Sequence, residues 1–387
     1  MSISHQAGAP TFDDAARTVI SEEDFGQAWE EITRWQGYAA TPLHSLESLA
    51  DTLGVGAVHY KHEGPRFGLG SFKALGGAYG AQCVLREELS RALGTEVSLA
   101  DVRNGRWRSE ISQRTLVSAT DGNHGRSLAW GCERFGARCR IYIHAEVSSG
   151  REAAIRSFGA TVERINGDYD ESVAICREEA QANGWLVISD TSWEGYEDTP
   201  RAVMAGYGVM FREVYEQLPA APSHLFVQGG VGGLAAAAAA SSRQLWGGDA
   251  PRIIVVEPEL AACLFASARS RAMTVVAIDS ETIMAGLSCG EPSPLAWRVL
   301  ESEVADYLTI ADELVPPAMR LLARAENGDP VIEAGESAVA GLAALMACSR
   351  SRALRDAIGL SADSEVLLLG TEGVTDPQIF AEIMSAA

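Results

Sequence analysis

The sequence predicts an α/β fold of doubly wound parallel sheets, on three observations. Short apolar runs alternate with longer helical stretches through the central and C-terminal parts of the chain, the order that lays helices over a mostly parallel sheet. Several runs are near-continuous Val, Ile and Leu, as strands covered on both faces require. Glycine follows the helical stretches where C-terminal caps are expected.

Taken in chain order, the expected strands are residues 115–120, 140–144, 161–165, 185–190, 224–228, 252–257 and 366–370. Helical spacing fills residues 150–158 and 168–183, closed by Gly159 and Gly184. Ligands of such sheets sit beyond the C-terminal ends of the strands, which directs attention to the loops after Thr120, Asp190, Gln228 and Gly370. Residues 90–113 read as a polar insertion. In the first forty residues, Trp29 and Trp35 stand at near-helical spacing and read as core or interface aromatics packed on the body.

With 387 residues the chain can form one large α/β domain or two lobes. Its 52 acidic and 31 basic residues give a net charge of −21, which opposes broad attraction to nucleic acid or an anionic membrane. No apolar run approaches the length of a membrane span, and the first residues lack a basic stretch followed by an apolar one. The cytoplasm is therefore the expected compartment. The seven cysteines form no C-x-x-C pair, so neither a zinc site nor a disulfide framework is indicated. No metal-ligand cluster is evident, and none is expected.

Among the 31 basic residues only Lys61 and Lys73 are lysine. A general bias toward arginine does not account for two lysines kept so close together. Lys73 lies in Gly68-Leu69-Gly70-Ser71-Phe72-Lys73-Ala74-Leu75-Gly76-Gly77, a Gly-rich approach that runs into a stretch suited to a close-packed helix. A lysine there can form an imine with an aldehyde cofactor if its amine is partly desolvated; the plain alternative is a solvated surface lysine. Lys61, in strand-like His59-Tyr60-Lys61, has no tight turn to present it.

Three more segments carry possible chemistry. Thr120-Asp121-Gly122-Asn123-His124-Gly125 forms a strand-to-helix turn that can place backbone N–H groups over a ligand, or can simply cap a helix. Gln228-Gly229-Gly230-Val231-Gly232-Gly233-Leu234-Ala235 lets backbone amides converge on a phosphate at a helix N-terminus. The same residues fit a dinucleotide fingerprint, with Glu257 near the expected acidic position, so an NAD-dependent oxidoreductase stays open. Gly370-Thr371-Glu372-Gly373-Val374-Thr375-Asp376-Pro377 puts a Thr hydroxyl at a strand end, able to bond a heterocycle nitrogen, or serves as a C-terminal turn.

In this order the four segments resemble the fold-type II, tryptophan-synthase-β-like pyridoxal-phosphate enzymes. More narrowly, the resemblance is to the diaminopropionate ammonia-lyases, over roughly residues 36–377. It rests on Arg66-Phe67-Gly68-Leu69, Ala119-Thr120-Asp121-Gly122-Asn123-His124-Gly125-Arg126, Asp190-Thr191-Ser192-Trp193-Glu194-Gly195-Tyr196, Met284-Ala285-Gly286-Leu287-Ser288-Cys289-Gly290-Glu291-Pro292 and Thr371-Glu372-Gly373. The resemblance implies two doubly wound α/β lobes with the cofactor in the cleft between them. The large cofactor-binding domain would be discontinuous, residues 1–85 and 205–387, and the small domain residues 86–204.

The resemblance further implies that Lys73, next to Phe72, carries pyridoxal 5'-phosphate as a Schiff base. Gly229, Gly230, Val231, Gly232 and Gly233 would hold the phosphate, Asn123 the ring hydroxyl and Thr371 the pyridine nitrogen. Asp121 and Asp190 are the implied acid–base carboxylates, and on opposite sides of the substrate Cα they would serve both enantiomers. The implied reaction is α,β-elimination of ammonia from 2,3-diaminopropionate, giving pyruvate and two ammonia, by a homodimer with a small amino-acid substrate. Val374, Gly70-Ser71 and His62-Glu63-Gly64-Pro65 depart from the family pattern beside the cofactor. A serine/threonine dehydratase-like lyase for another β-substituted amino acid, and a non-catalytic amino-acid-binding protein on the same scaffold, therefore remain alternatives.

Overall fold

The computed structural model describes residues 3–120, 122–167, 169–325 and 328–386. Its strands, in chain order, are β1 (Ile3–Ala7), β2 (Leu43–Ser45), β3 (Ala57–His62), β4 (Thr115–Ala119), β5 (Arg138–Ile143), β6 (Thr161–Arg164), β7 (Leu186–Val187), β8 (His224–Gln228), β9 (Arg252–Pro258), β10 (Asp306–Ile310) and β11 (Glu365–Gly370). The chain divides into two compact units. The first holds Met1–Glu22, Ala40–Phe72 and Met210–Ala387; the second holds Glu23–Ala39 and Lys73–Val209.

The first unit is built on a seven-stranded sheet in the order β1-β10-β9-β8-β11-β3-β2. Its inner strands are parallel, and β1 and β2 pair antiparallel at the two edges. Val255 and Val256 of β9, and Phe226 and Val227 of β8, are fully buried, as residues of strands covered on both faces must be. Helix Gly233–Trp246 follows β8; its first ten residues are all buried, and its small Ala and Ser side chains permit close packing. A continuous apolar core runs through Val58, Ile254, Leu308, Leu345 and Leu368.

The second unit carries an all-parallel four-stranded sheet in the order β6-β5-β4-β7. Two helices form its most intimate contact, Lys73–Leu93 and Asn123–Phe135. Glycine is required at this crossing. A Cβ on Gly131 would lie 2.9 Å from the Ala78 Cα, and one on Gly77 would lie 2.6 Å from the Ser127 Oγ. That hydroxyl donates to the Lys73 carbonyl at 2.7 Å and accepts from the Ala78 N–H at 3.1 Å, tying the start of one helix to the other.

The expected strands are all present, 224–228 with the expected ends and the others with shifted ones, and one difference bears on function. Residues 185–190 read as a strand, but β7 stops at Val187, and Asp190 is reached through irregular backbone. Gly159 and Gly184 close their helices at φ 75° and 65°. The polar insertion contains the end of helix Lys73–Leu93 and two short helices, Leu99–Arg103 and Arg108–Ile111. Trp35 is buried, edge-on to Trp130 and Phe135 in the second unit.

Candidate active site

In the second unit Lys73 is the first residue of its helix. Its Nζ donates to the Asp190 Oδ2 at 2.6 Å, with the lysine side chain 24% and the aspartate 18% exposed. The amine also lies 5.7 Å from the centre of the Tyr207 ring. The lysine is therefore neither solvated surface nor sealed core. It is a partly accessible amine held by a carboxylate.

Asp190 itself is held charged. Burial acts to raise its pKa, but the Lys73 ammonium and then His124 outweigh that and keep the carboxyl well below the usual carboxylate range. His124 is buried; its Nε2 lies 3.0 Å from the Ile188 carbonyl, so that nitrogen bears a proton and donates. This leaves Nδ1 facing the Asp190 Oδ2 at 3.9 Å. Tyr207 is pushed up to about 12, by burial first, and stays a neutral phenol beside the pair.

The start of the helix that carries His124 is tied to Thr120, whose Oγ1 accepts from the Gly122 N–H at 3.2 Å and the Gly125 N–H at 3.3 Å. A Cβ on Gly125 would meet the Thr120 Cγ2 at 2.4 Å, which explains the glycine. Asn123 begins helix Asn123–Phe135, half-buried at its N-terminal end. Asp121 lies outside the described residues. Of the residues assigned from sequence, Lys73, Asp190 and Asn123 thus belong to the second unit.

The other assigned residues gather in the first unit, at the C-terminal ends of β8 and β11. Gly229 to Gly233 turn from β8 into the helix, with Gly230 at φ 65° and Gly232 at φ 98°. These conformations are strained for any residue with a side chain. A Cβ on Gly229 would lie 2.5 Å from Glu257, and one on Gly232 would lie 2.9 Å from Leu300. The result is a bare backbone cradle at the N-terminus of a 14-residue helix, where an anion is favoured. Ser293 N–H fixes its rim by donating to the Val231 carbonyl at 2.8 Å.

Thr371 is buried where β11 ends. Its carbonyl accepts from the Phe72 N–H at 3.0 Å, Gly373 N–H donates to the Gly70 carbonyl at 2.9 Å, and Ser71 bridges Glu372. The residues immediately before Lys73 are therefore laced onto the Thr371 turn. Gln228 joins the two strand ends through its side-chain amide, which donates to the carbonyls of Leu369 at 2.8 Å and Ala338 at 3.0 Å. Ser71 fits this arrangement as a strand-like bridge residue, and nothing in the structure explains Val374.

Two sequence ambiguities resolve here. The Glu257 carboxylate accepts from the Leu264 and Phe265 N–H groups at 2.9 and 2.7 Å, so both oxygens cap helix Cys263–Ser270. The acidic residue a dinucleotide ribose would need is thus already engaged. Lys61 is fully buried in β3, donating to Glu213 at 2.7 Å, the Thr41 carbonyl at 2.8 Å and Gln217 at 2.9 Å. Arg66 completes the cluster, with bonds of 2.7–2.8 Å to Glu213 and Glu63. Two cations against two carboxylates leave Lys61 a structural role.

His124, buried beside Asp190, was not singled out from sequence: it stood inside a motif quoted for other residues, and no spacing rule links it to Asp190.

In the first unit the cradle suits a phosphate and the buried Thr371 hydroxyl a ring nitrogen; in the second, the paired lysine suits an aldehyde. Comparison with known proteins agrees. Residues 34–371 match the family model described as pyridoxal-phosphate dependent enzyme. The diaminopropionate ammonia-lyase of Salmonella typhimurium is 37% identical over 357 residues, 90% of this chain and 88% of that one. The solved structure of holo diaminopropionate ammonia lyase from Escherichia coli superposes with a TM-score of 0.91 at 31% identity, covering 100% of this chain and 97% of that one. The same enzyme in complex with an aminoacrylate-PLP azomethine reaction intermediate gives a TM-score of 0.88 at 31% identity, with the same coverage.

Proposed function

The chain belongs to the family of pyridoxal-phosphate dependent enzymes, and from that premise we propose that it eliminates ammonia from 2,3-diaminopropionate, giving pyruvate and two ammonia. The observation that carries the reading is the Lys73–Asp190 pair: one of only two lysines, with its amine held at 2.6 Å by a carboxylate. The other lysine is buried in a structural ion cluster.

The residues suit the cofactor. Lys73 would carry it through its aldehyde carbon, with Phe72 beside it, and the backbone of Gly229, Gly230, Val231, Gly232 and Gly233 would take the phosphate. Asn123 would meet the ring hydroxyl and Thr371 the pyridine nitrogen. When bound, the group supplies an electron sink for the pair left on the substrate Cα. A neutral hydroxyl at Thr371 donates no full charge to that ring.

The chain's own groups move the protons. Once released from the cofactor, the Lys73 amine would stand beside Asp190. Asp190 and Asp121 act as the acid–base carboxylates, one accepting the Cα proton. The Cβ–N bond then breaks with its electron pair going to nitrogen, and that nitrogen leaves as ammonia once protonated. The released 2-aminoacrylate hydrolyses to pyruvate and the second ammonia. Asp121 next to the glycine turn is suited to pairing with the β-ammonium of the substrate.

The same reading takes the protein as a cytoplasmic homodimer, with residues 1–85 and 205–387 as the cofactor-binding domain and 86–204 as the small one. Among the described residues no helix is long and apolar enough to cross a membrane. Sedimentation tests the dimer.

The function is tested by measuring pyruvate and ammonia from D- and L-diaminopropionate, serine and threonine. Two ammonia per pyruvate from diaminopropionate supports the reading. Turnover of serine or threonine alone assigns the chain to the dehydratase chemistry instead, and cofactor binding without pyruvate from any of the four marks a binding protein.

A further inference from the structure

The segment that delivers Asp190 is held in an unusual way. The β4 ladder supports it only as far as Ile188, whose N–H donates to the Val117 carbonyl at 2.8 Å. Beyond that point a side chain takes over. The Ser189 N–H donates to the Tyr196 hydroxyl oxygen at 3.0 Å, and the same hydroxyl donates to the Val187 carbonyl at 2.8 Å. One phenol therefore satisfies backbone groups on both sides of Ile188, immediately before Asp190. His124 holds the Ile188 carbonyl between them.

Tyr196 is itself fixed. Trp193 and Tyr196 form an antiparallel bridge, with N–H to carbonyl distances of 3.3 and 2.9 Å, closed by Gly195 at φ 80°. Their rings stack at 3.9 Å between centroids and 8° between planes. The Arg177 guanidinium covers the outer Trp193 face at 3.9 Å. Burial pushes the Tyr196 phenol up to about 12, so its hydroxyl keeps the proton that Val187 accepts. A core aromatic would need none of this double hydrogen bonding to the strand end.

We propose that Tyr196 is a positioning residue for Asp190, its hydroxyl standing in for the strand ladder that stops short of the carboxylate. The inference rests on the proposed pairing of Asp190 with the lysine that carries the cofactor. Its test uses the holoenzyme at rest. The absorbance above roughly 400 nm marks a protonated Lys73–cofactor linkage, and a fixed carboxylate beside that nitrogen raises the pH at which the band is lost. Asp190→Asn is expected to lower the midpoint by about 1–3 pH units, the effect of removing an opposite charge in contact. Tyr196→Phe keeps the stacked ring and loses only the hydroxyl. It is expected to lower the midpoint by about 0.3–1 pH unit as the carboxylate loses its fixed position, with cofactor content unchanged. Trp193→Ala, which removes the stack, should move it the same way. A purely structural tyrosine would change the melting temperature and leave the midpoint alone. If Asp190→Asn shifts the midpoint and neither Tyr196→Phe nor Trp193→Ala does, the positioning role is overturned while the Asp190 pairing stands. If Asp190→Asn itself shifts nothing, the pairing fails and the inference falls with it.

Discussion

Lys73 and Asp190 stand 117 residues apart in sequence and 2.6 Å apart in the second unit, Nζ donating to Oδ2. The pair gives a specific partner to a lysine that sequence composition could only single out as scarce. A carboxylate in contact favours the protonated state of the Lys73 nitrogen, and the lysine keeps the carboxylate charged in return.

Replacing Asp190 by Asn is expected to leave cofactor content intact and to lower kcat by about 10²–10⁴, the usual range for loss of a positioned acid or base. Turnover measured beside cofactor content, read as cofactor released from the denatured protein, checks this. An equal loss of cofactor and activity would instead make Asp190 part of the cofactor seat.

The cradle makes a separate demand. Gly232 has φ 98°, and a Cβ there would press on Leu300 at 2.9 Å. Gly232→Ala should weaken cofactor binding by about 10- to 100-fold, the equivalent of about 1–3 kcal/mol of backbone strain. Cofactor titration of the apoenzyme measures it. Lys73 and Asp190 are untouched by the change, so activity should return at saturating cofactor.

Lys61 should behave in the opposite way from Lys73. Its ammonium is buried against Glu213, and Arg66 pairs with that same carboxylate and with Glu63. Burial acts against the charge on Glu213, yet Arg66 and Lys61 keep its carboxyl below the ordinary glutamate range. Lys61→Met would strip one cation from a balanced set and should destabilise the fold by about 3–5 kcal/mol. Denaturant unfolding reads the loss, and the purified variant should remain yellow.

Glu257 gives a pH dependence. Burial raises its carboxyl to about 8, against the two helix N–H groups it accepts. An acid whose folded pKa is raised binds its proton more tightly when folded. Its contribution is therefore fully present below the ordinary glutamate pKa and is lost as pH rises toward 8. Between pH 5 and 8, wild type should lose stability relative to Glu257→Gln by up to about 1.4 kcal/mol per pH unit. Parallel slopes for the two proteins would show that Glu257 does not titrate in this window.

Much of the first unit was legible because parallel strands write themselves as apolar runs. Residues 224–228 and 252–257 needed little else, and the glycines after β8 announced a cradle. The edge strands β1 and β2 were not visible, since half-buried edges such as Ile3–Ala7 and Leu43–Ser45 carry neither a continuous run nor a clean alternation. Nor was the early end of β7. Local sequence at 185–190 favours a strand, and what replaces the ladder there is a hydroxyl seven residues beyond Ser189 and a histidine from a helix. Lys73 and Asp190 could be named singly from the family resemblance, but their contact is a property of the folded chain. The role of Glu257 was likewise undecidable from spacing, because a capped helix and a ribose contact both place an acid at a strand end.

The most direct test of the account is to find the lysine that holds the cofactor. Borohydride reduction of the yellow protein fixes the linkage, and peptide mass spectrometry then locates it, a clean experiment in a chain with two lysines. The added mass is expected on the peptide containing Lys73, with Lys61 unmodified and with no adduct in Lys73→Ala. Modification at Lys61, or a reduced protein without any adduct, would contradict it.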